Sequence, residues 1–273
     1  MKTFVFYPLF VIAWFIGLTI LIVIIVTDPS NFRNWATDQV VLPYADINNN
    51  LISIHNIRNF NYTSTSTYTA AYYDKTFDLN KIKKVYYVVE PFSGFKGSAH
   101  TFLSFEFEND QFLAVSVEIR KEVSETFSAV KGLFNKYEIM YVIADERDAI
   151  KLRSNFRKDQ VYVYPIKTTK EKTQALFLDM INRANHLSEE PEFYNTLTNT
   201  CTTNIVQHVN TITPKKVPLS FKVLLPAESD KLAYDLGLID TDLPFEDARK
   251  KYLINDRAAT YANDPAFSVK IRK

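Results

Sequence analysis

His100-Thr101-Phe102-Leu103-Ser104-Phe105-Glu106-Phe107 and Phe112-Leu113-Ala114-Val115-Ser116-Val117-Glu118-Ile119-Arg120 are the two runs that decide how this chain folds. Both alternate with period 2, and Glu108-Asn109-Asp110 between them has turn chemistry, so the pair predicts an antiparallel hairpin. The apolar sets align when Leu103 lies opposite Val115 and Phe105 opposite Leu113. The same register sets Thr101 against Val117 and His100 against Glu118. Directly opposed Cβ atoms lie about 5 Å apart, so imidazole and carboxylate can meet. A carboxylate on one ring nitrogen fixes the tautomer and leaves the other nitrogen free to act as a base. The alternative is a solvated cross-strand ion pair, and a slip of one residue would separate the two side chains.

Working outward, Leu51–Arg58, Val85–Val89, Ile139–Ile143 and Val161–Pro165 read as further strands, and Phe60–Tyr73 as exposed extended chain. Glu125–Tyr137 has helical spacing at Phe127, Val130, Leu133 and Phe134, with Gly132 as its weak point. Thr169–His186 predicts a helix that buries Leu176, Met180, Ile181 and Ala184. The charged run Asp145–Arg157 fits either an alternating segment or a capped helix. Beyond Pro214 the pattern predicts short helices near Asp230–Leu236 and Phe245–Lys250, then a docked tail over Asp264–Arg272. The fold class is therefore α+β, an antiparallel sheet with packed helices.

The only cysteine in 273 residues lies in Asn199-Thr200-Cys201-Thr202-Thr203-Asn204, ahead of the helix-like Ile205–Val209. Thr200 or Thr202 can cap that helix. A thiol at a helix start feels the positive end of the dipole, which favours thiolate. The other reading is a small buried hydrophobe. His208 follows seven residues on, two helical turns or about 10 Å away, too far for a direct pair with Cys201. Thiol, His100 and Glu118 together supply the nucleophile, base and orienter of a thiol enzyme. Arg120 and Asn199 are candidates to support that site, with ion pairing and turn-making as their structural alternatives.

Composition excludes several classes. Lys and Arg total 32 and Asp and Glu 31, and setting Lys2 aside leaves 31 of each, with no basic stripe for nucleic acid. Five glycines and no GxGxxG or GxxxxGK[ST] pattern argue against nucleotide-phosphate loops. One cysteine and four scattered histidines argue against disulfides and zinc, and no cofactor is expected. Phe4–Val26 carries no charge and is long enough to span a bilayer, so residues 1–27 are expected as an uncleaved anchor and 28–50 as a connector. Residues 51–273 then form one domain.

Several of these motifs, in fixed order, resemble the Lnb N-terminal periplasmic domain family of bacteria. They are His100–Phe105, Ser116–Glu122, Lys131–Phe134, Tyr141–Asp148 and Thr198–Asn204, and the likeness runs from about Trp35 to the Phe267–Arg272 tail. The resemblance implies a circularly permuted papain-like fold, related to NlpC-type enzymes and lecithin–retinol acyltransferase, with His100, Glu118 and Cys201 at the catalytic positions. The family's named member is a lipoprotein N-acyltransferase. By resemblance the chain is a single-pass protein of the bacterial inner membrane, held through residues 4–26, with its domain in the periplasm and a membrane lipid or lipoprotein as substrate. Two departures stand out. Thr200 occupies a position where the family usually has Asn, and the acyltransferase's membrane domain has no counterpart through Lys273. The alternatives are a cell-envelope cysteine peptidase or amidase, and a non-catalytic anchored binding or scaffold protein.

Overall fold

The computed structural model describes residues 10–12, 14–15, 17–18, 27–94 and 97–273. The expected anchor over residues 4–26 lies for the greater part outside the described residues. Among the described residues no helix is long and apolar enough to cross a membrane.

An eight-stranded sheet forms the centre. Its strands are β1 (Tyr44–Asn48), β2 (Leu51–Arg58), β5 (Tyr72–Asp78), β6 (Ile82–Pro91), β7 (Ala99–Phe107), β8 (Gln111–Arg120), β9 (Glu138–Ala144) and β10 (Tyr162–Pro165). A separate two-stranded piece pairs β3 (Asn61–Tyr62) with β4 (Tyr68–Thr69). The order is β1-β2-β9-β8-β7-β6-β10, with β5 also paired to β2. The β7–β8 hairpin takes the register its apolar faces require, Leu103 with Val115 and Phe105 with Leu113. Asn109 and Asp110, both at positive φ, turn the chain between the strands.

One expectation is corrected here. The sheet is mixed, because β2 meets β9 in parallel at Arg58–Ala144. Within the span expected as a connector, β1 pairs with β2, and Trp35 is buried beneath the Arg120 guanidinium, 4.3 Å from the ring centre.

The sheet is covered on both faces, which explains why β9 is buried at every position. One face carries Leu103, Phe105, Val115, Val117 and Tyr141 against α2 (Lys170–Glu189) and α3 (Cys201–Ile212), which follow α1 (Glu146–Lys151) in the chain. The long helix α2 buries Leu176, Met180, Ile181 and Ala184, as its spacing predicts. The opposite face carries Phe102, Ala114, Met140 and Val142. It packs against α1 and the C-terminal turns α7 (Asn255–Thr260) and α8 (Phe267–Lys270), reached after α4 (Phe221–Leu224), α5 (Ser229–Asp235) and α6 (Phe245–Tyr252). The tail docks as expected, with Phe267 and Ile271 fully buried and Arg272 paired to the buried Glu146.

The helix expected over Glu125–Tyr137 does not form; only a single 3-10 turn, Lys131–Leu133, is present. A helix would have buried Phe127, Val130 and Phe134 as a stripe, yet these are 50%, 65% and 39% exposed. The fully buried residue is Tyr137, whose hydroxyl donates to the Thr126 carbonyl and accepts from the Ser128 N–H, closing an irregular loop. Gly132 sits in it by necessity, since a Cβ there would stand 2.5 Å from Thr196 Oγ1 and 3.0 Å from Tyr194. The charged run after β9 is helical: Asp145 caps α1, and the chain continues as a π-helix over Leu152–Arg157.

Candidate thiol site

Thr200 is in extended conformation and makes the reciprocal box that starts α3. Its hydroxyl accepts from the Thr203 N–H at 3.2 Å, and Thr203 Oγ1 accepts from the Thr200 N–H at 2.7 Å. Cys201 is thereby the first helical residue, partly accessible to solvent. Asn199 braces the turn before it. Its amide donates to the Phe193 carbonyl at 2.8 Å, and its Oδ1 accepts from Asn204 at 2.8 Å. Thr202 Oγ1 lies 2.9 Å from Thr101 Oγ1, tying the helix start to the start of β7.

His100 is on that same strand end, one residue from Thr101, and lies close enough to Cys201 for each to shift the other's ionisation. Its Nε2 is 2.7 Å from Ser116 Oγ and 3.3 Å from Glu118 Oε1. The Ser116 hydroxyl donates to Glu118 at 2.8 Å, so it accepts from the imidazole. Nε2 therefore carries a proton. The His100–Glu118 contact expected from the hairpin is present, reinforced by a serine that the alternation places on the same strand face as Glu118.

The same face of the sheet supplies a charged support. Arg153 Nη2 lies 2.8 Å from Glu118 Oε1 and its Nε 2.7 Å from Glu90 Oε2, while Nη1 donates to the Ala149 carbonyl at 2.7 Å. Arg157, four residues on and thus on the same helix face, approaches Glu90 at 3.5 Å. Phe102 stacks with His100 on one side, centroids 5.7 Å apart, and carries the Arg153 guanidinium 5.0 Å from its ring centre. Glu90 is itself the cross-strand neighbour of His100 on β6. None of Ser116, Glu90 or Arg153 was singled out from the sequence. Arg153 sits in the run that could not be assigned to helix or strand, and its pairing with Glu118 joins residues 35 positions apart.

These contacts set the ionisation. Burial alone would push the Cys201 thiol up; the hydrogen bond and charge of His100, aided by the Thr101 N–H and hydroxyl, outweigh it and bring it down to about 7. Burial likewise disfavours the His100 imidazolium, but the Glu118 charge wins against opposing Arg153, and His100 is pushed up to about 9. Glu118 is held well below the usual carboxylate range: His100 and Arg153 overcome its burial. Both shifts favour the thiolate–imidazolium form of the pair. Glu90 moves the other way, raised by burial in spite of Arg153 and His100.

Residues 68–227, more than half of the chain, match the Lnb N-terminal periplasmic domain. The chain belongs to this family. No curated protein and no solved structure matches it. The matched span holds Glu90, His100, Ser116, Glu118, Arg153 and Cys201, and membership makes this a periplasmic domain.

The other residues weighed from the Lnb-like sequence lie apart from this cluster. Arg120 is occupied elsewhere, donating to the Gln39 carbonyl at 2.9 Å, the Val40 carbonyl at 2.8 Å and Asn31 Oδ1 at 2.7 Å, so it holds the N-terminal segment to the sheet. His208 is buried under α3, its Nδ1 2.7 Å from Asp179 and its Nε2 2.5 Å from the Tyr141 hydroxyl. Among the described residues no group of three or more His, Cys, Asp or Glu side chains is arranged to hold a metal ion.

Next to Thr202 opens a cavity of about 550 Å³ between α2, α3, α5 and the sheet. Its walls include Tyr87, Leu103, Leu176, Ile205 and Val209, and no acidic side chain lines it. Exposed Lys167, Lys172, Lys215 and Lys216 complete the lining. The Tyr87 hydroxyl donates to Ser229 Oγ at 2.8 Å in the cavity wall.

Proposed function

We propose that this periplasmic domain is a thiol acyl-transfer enzyme, a hydrolase when water replaces the acceptor. Cys201 is the nucleophile, His100 the base and acid, and Glu118 the group that orients and charges His100. The observation that carries the reading is the hydrogen-bonded chain His100–Ser116–Glu118, brought beside Cys201 at a helix start by the Thr101–Thr202 contact. The His–Glu hairpin ahead of the cysteine helix is the order of a permuted papain-like core, and we read the fold that way.

In the first step the Cys201 thiolate attacks an ester carbonyl carbon. The C–O bond breaks, the acyl group remains as a thioester on Sγ, and the departing alkoxide takes the proton from His100. In the second step an amine attacks the thioester, His100 takes the amine proton, and Sγ leaves as thiolate. Glu118 stabilises the imidazolium in both steps, and the Ser116 bridge fixes the ring through Nε2.

A cavity with apolar walls beside Thr202 favours a long-chain acyl group over cell-wall peptide, whose polar backbone would go unpaired there. Residues 1–27 as anchor would keep the domain near its substrate, a membrane lipid or lipoprotein of the inner membrane.

The test is intact-mass spectrometry after incubation with phospholipid vesicles and no amine acceptor. Wild type is expected to gain one acyl mass on Cys201, removable by hydroxylamine, and Cys201→Ala none. A wild-type thiol that stays unmodified with every ester offered would contradict the proposal.

A further inference from the structure

Thr213-Pro214-Lys215-Lys216-Val217-Pro218-Leu219-Ser220-Phe221-Lys222-Val223-Leu224-Leu225 connects α3 to the turn before α5 and borders the cavity through Thr213, Lys215, Lys216, Val217 and Val223. It is a held structure. Asn210 at the end of α3 pairs with both backbone groups of Val217, at 3.1 and 2.7 Å, and Lys216 donates to the carbonyls of Asn210 and Thr213. Val217 and Val223 point inward and are buried. Their neighbours point the other way: Leu219 is 73% exposed, Phe221 81% and Leu225 47%.

Large apolar side chains fixed outward on an anchored segment mark a surface that something covers. The charge pattern says what. The segment has three lysines and no acid, the composition of a peptide that lies in the headgroup layer of an anionic bilayer with its apolar side chains inserted. A second copy on the same patch would bring the lysines of both together, and Asp235, 3.6 Å from Lys222, is already shared with Lys231 within its own chain. The apolar run at residues 4–26 carries no acidic group to complement them.

We infer that Thr213–Leu225 is a membrane-docking lip, which seats on an anionic lipid surface through Leu219, Phe221 and Leu225 and turns the mouth of the cavity toward the bilayer. This rests on exposure and charge alone and is independent of any chemistry at Cys201.

The experiment uses the full chain reconstituted into vesicles that contain a trace of phosphatidylcholine with a diazirine in its acyl chain, mapped by peptide mass spectrometry after photolysis. In vesicles rich in phosphatidylglycerol, adducts are expected within 217–225. They should fall severalfold in pure phosphatidylcholine, at high salt, or in Leu219→Glu/Phe221→Glu, while adducts in residues 4–26 persist. Phe127→Glu/Val130→Glu, a second exposed apolar pair, should leave the pattern unchanged. Adducts confined to residues 4–26 would overturn the proposal. So would an amine-reactive crosslink between Lys215 or Lys222 of two copies in place of lipid adducts.

Discussion

One helix carries two histidine–acid arrangements that look alike in outline and differ in chemistry. At the start of α3, Cys201 meets His100, which is backed by Ser116, Glu118, Arg153 and Glu90. Two turns along, His208 on the same helix is held between Asp179 and Tyr141. Burial is the largest influence on both rings, and both have a carboxylate. At His100 the charge of Glu118 overcomes burial and the imidazolium is favoured; at His208 burial prevails over the Asp179 bond and the ring is held neutral. The partner on the other nitrogen completes the contrast. Cys201 is brought down to about 7, whereas burial pushes the Tyr141 phenol far above its ordinary value. A histidine beside an acid is thus not by itself a catalytic pair; a buried and compensated acid facing an ionisable nucleophile distinguishes one site from the other.

The largest break in the comparison comes from His100→Ala. Thioester formation should fall by roughly 100- to 10,000-fold, the usual worth of a positioned acid–base group, while His208→Leu leaves it within a small factor. Single-turnover acylation followed by mass spectrometry checks both.

Arg153→Met comes next. It leaves the fully buried Glu90 carboxylate with Arg157 at 3.5 Å in place of its closer partner, and urea unfolding should record a loss of about 3–5 kcal/mol. Replacing Arg153 and Glu90 together by apolar residues should recover part of that loss, because the buried acid left behind is then gone.

The two histidines should also bend stability against pH in opposite directions. His100 is raised, so its contribution is complete below its unfolded value of about 6.5 and is lost as pH climbs toward about 9. His208 is lowered, so its contribution is complete above about 6.5 and is lost on acidification below it. His208→Leu should therefore flatten the acid side of the profile and cost about 1–3 kcal/mol, since the buried Tyr141 hydroxyl keeps only its longer bond to Asn204 Oδ1 at 3.4 Å. Thermal melts at stepped pH, wild type against variant, read both effects.

The smallest effect belongs to the cap. Thr200→Ala should cost about 1 kcal/mol, and Thr200→Asn, which keeps an acceptor at that position, markedly less.

The sequence was most legible where local pattern and tertiary packing agree. The β7–β8 register followed from the alternation of Leu103, Phe105, Leu113 and Val115, and with it the His100–Glu118 contact. The buried stripe of α2 followed from spacing, and of the two candidate caps, Thr200 and Thr202, the structure uses Thr200. Legibility failed where a periodicity has no partner surface: Phe127, Val130 and Phe134 are spaced for a helix, but the loop around Tyr137 and Gly132 is tied to residues 194–196 instead. The parallel β2–β9 contact and the Arg153–Glu90–Glu118 cluster join residues far apart in sequence, with no local signal to announce them. Arg120 illustrates the converse. It is two residues from Glu118 on the same strand, yet it serves the N-terminal segment.

The most direct measurement is the pH-rate profile of Cys201 alkylation by iodoacetamide in the full chain, wild type and His100→Ala. The account predicts a wild-type thiol that becomes reactive through about pH 7, and an apparent value displaced above the ordinary 8.5 or so once His100 is removed. A wild-type thiol that titrates at its ordinary value, or one that ignores the loss of His100, would contradict the pairing on which the rest depends.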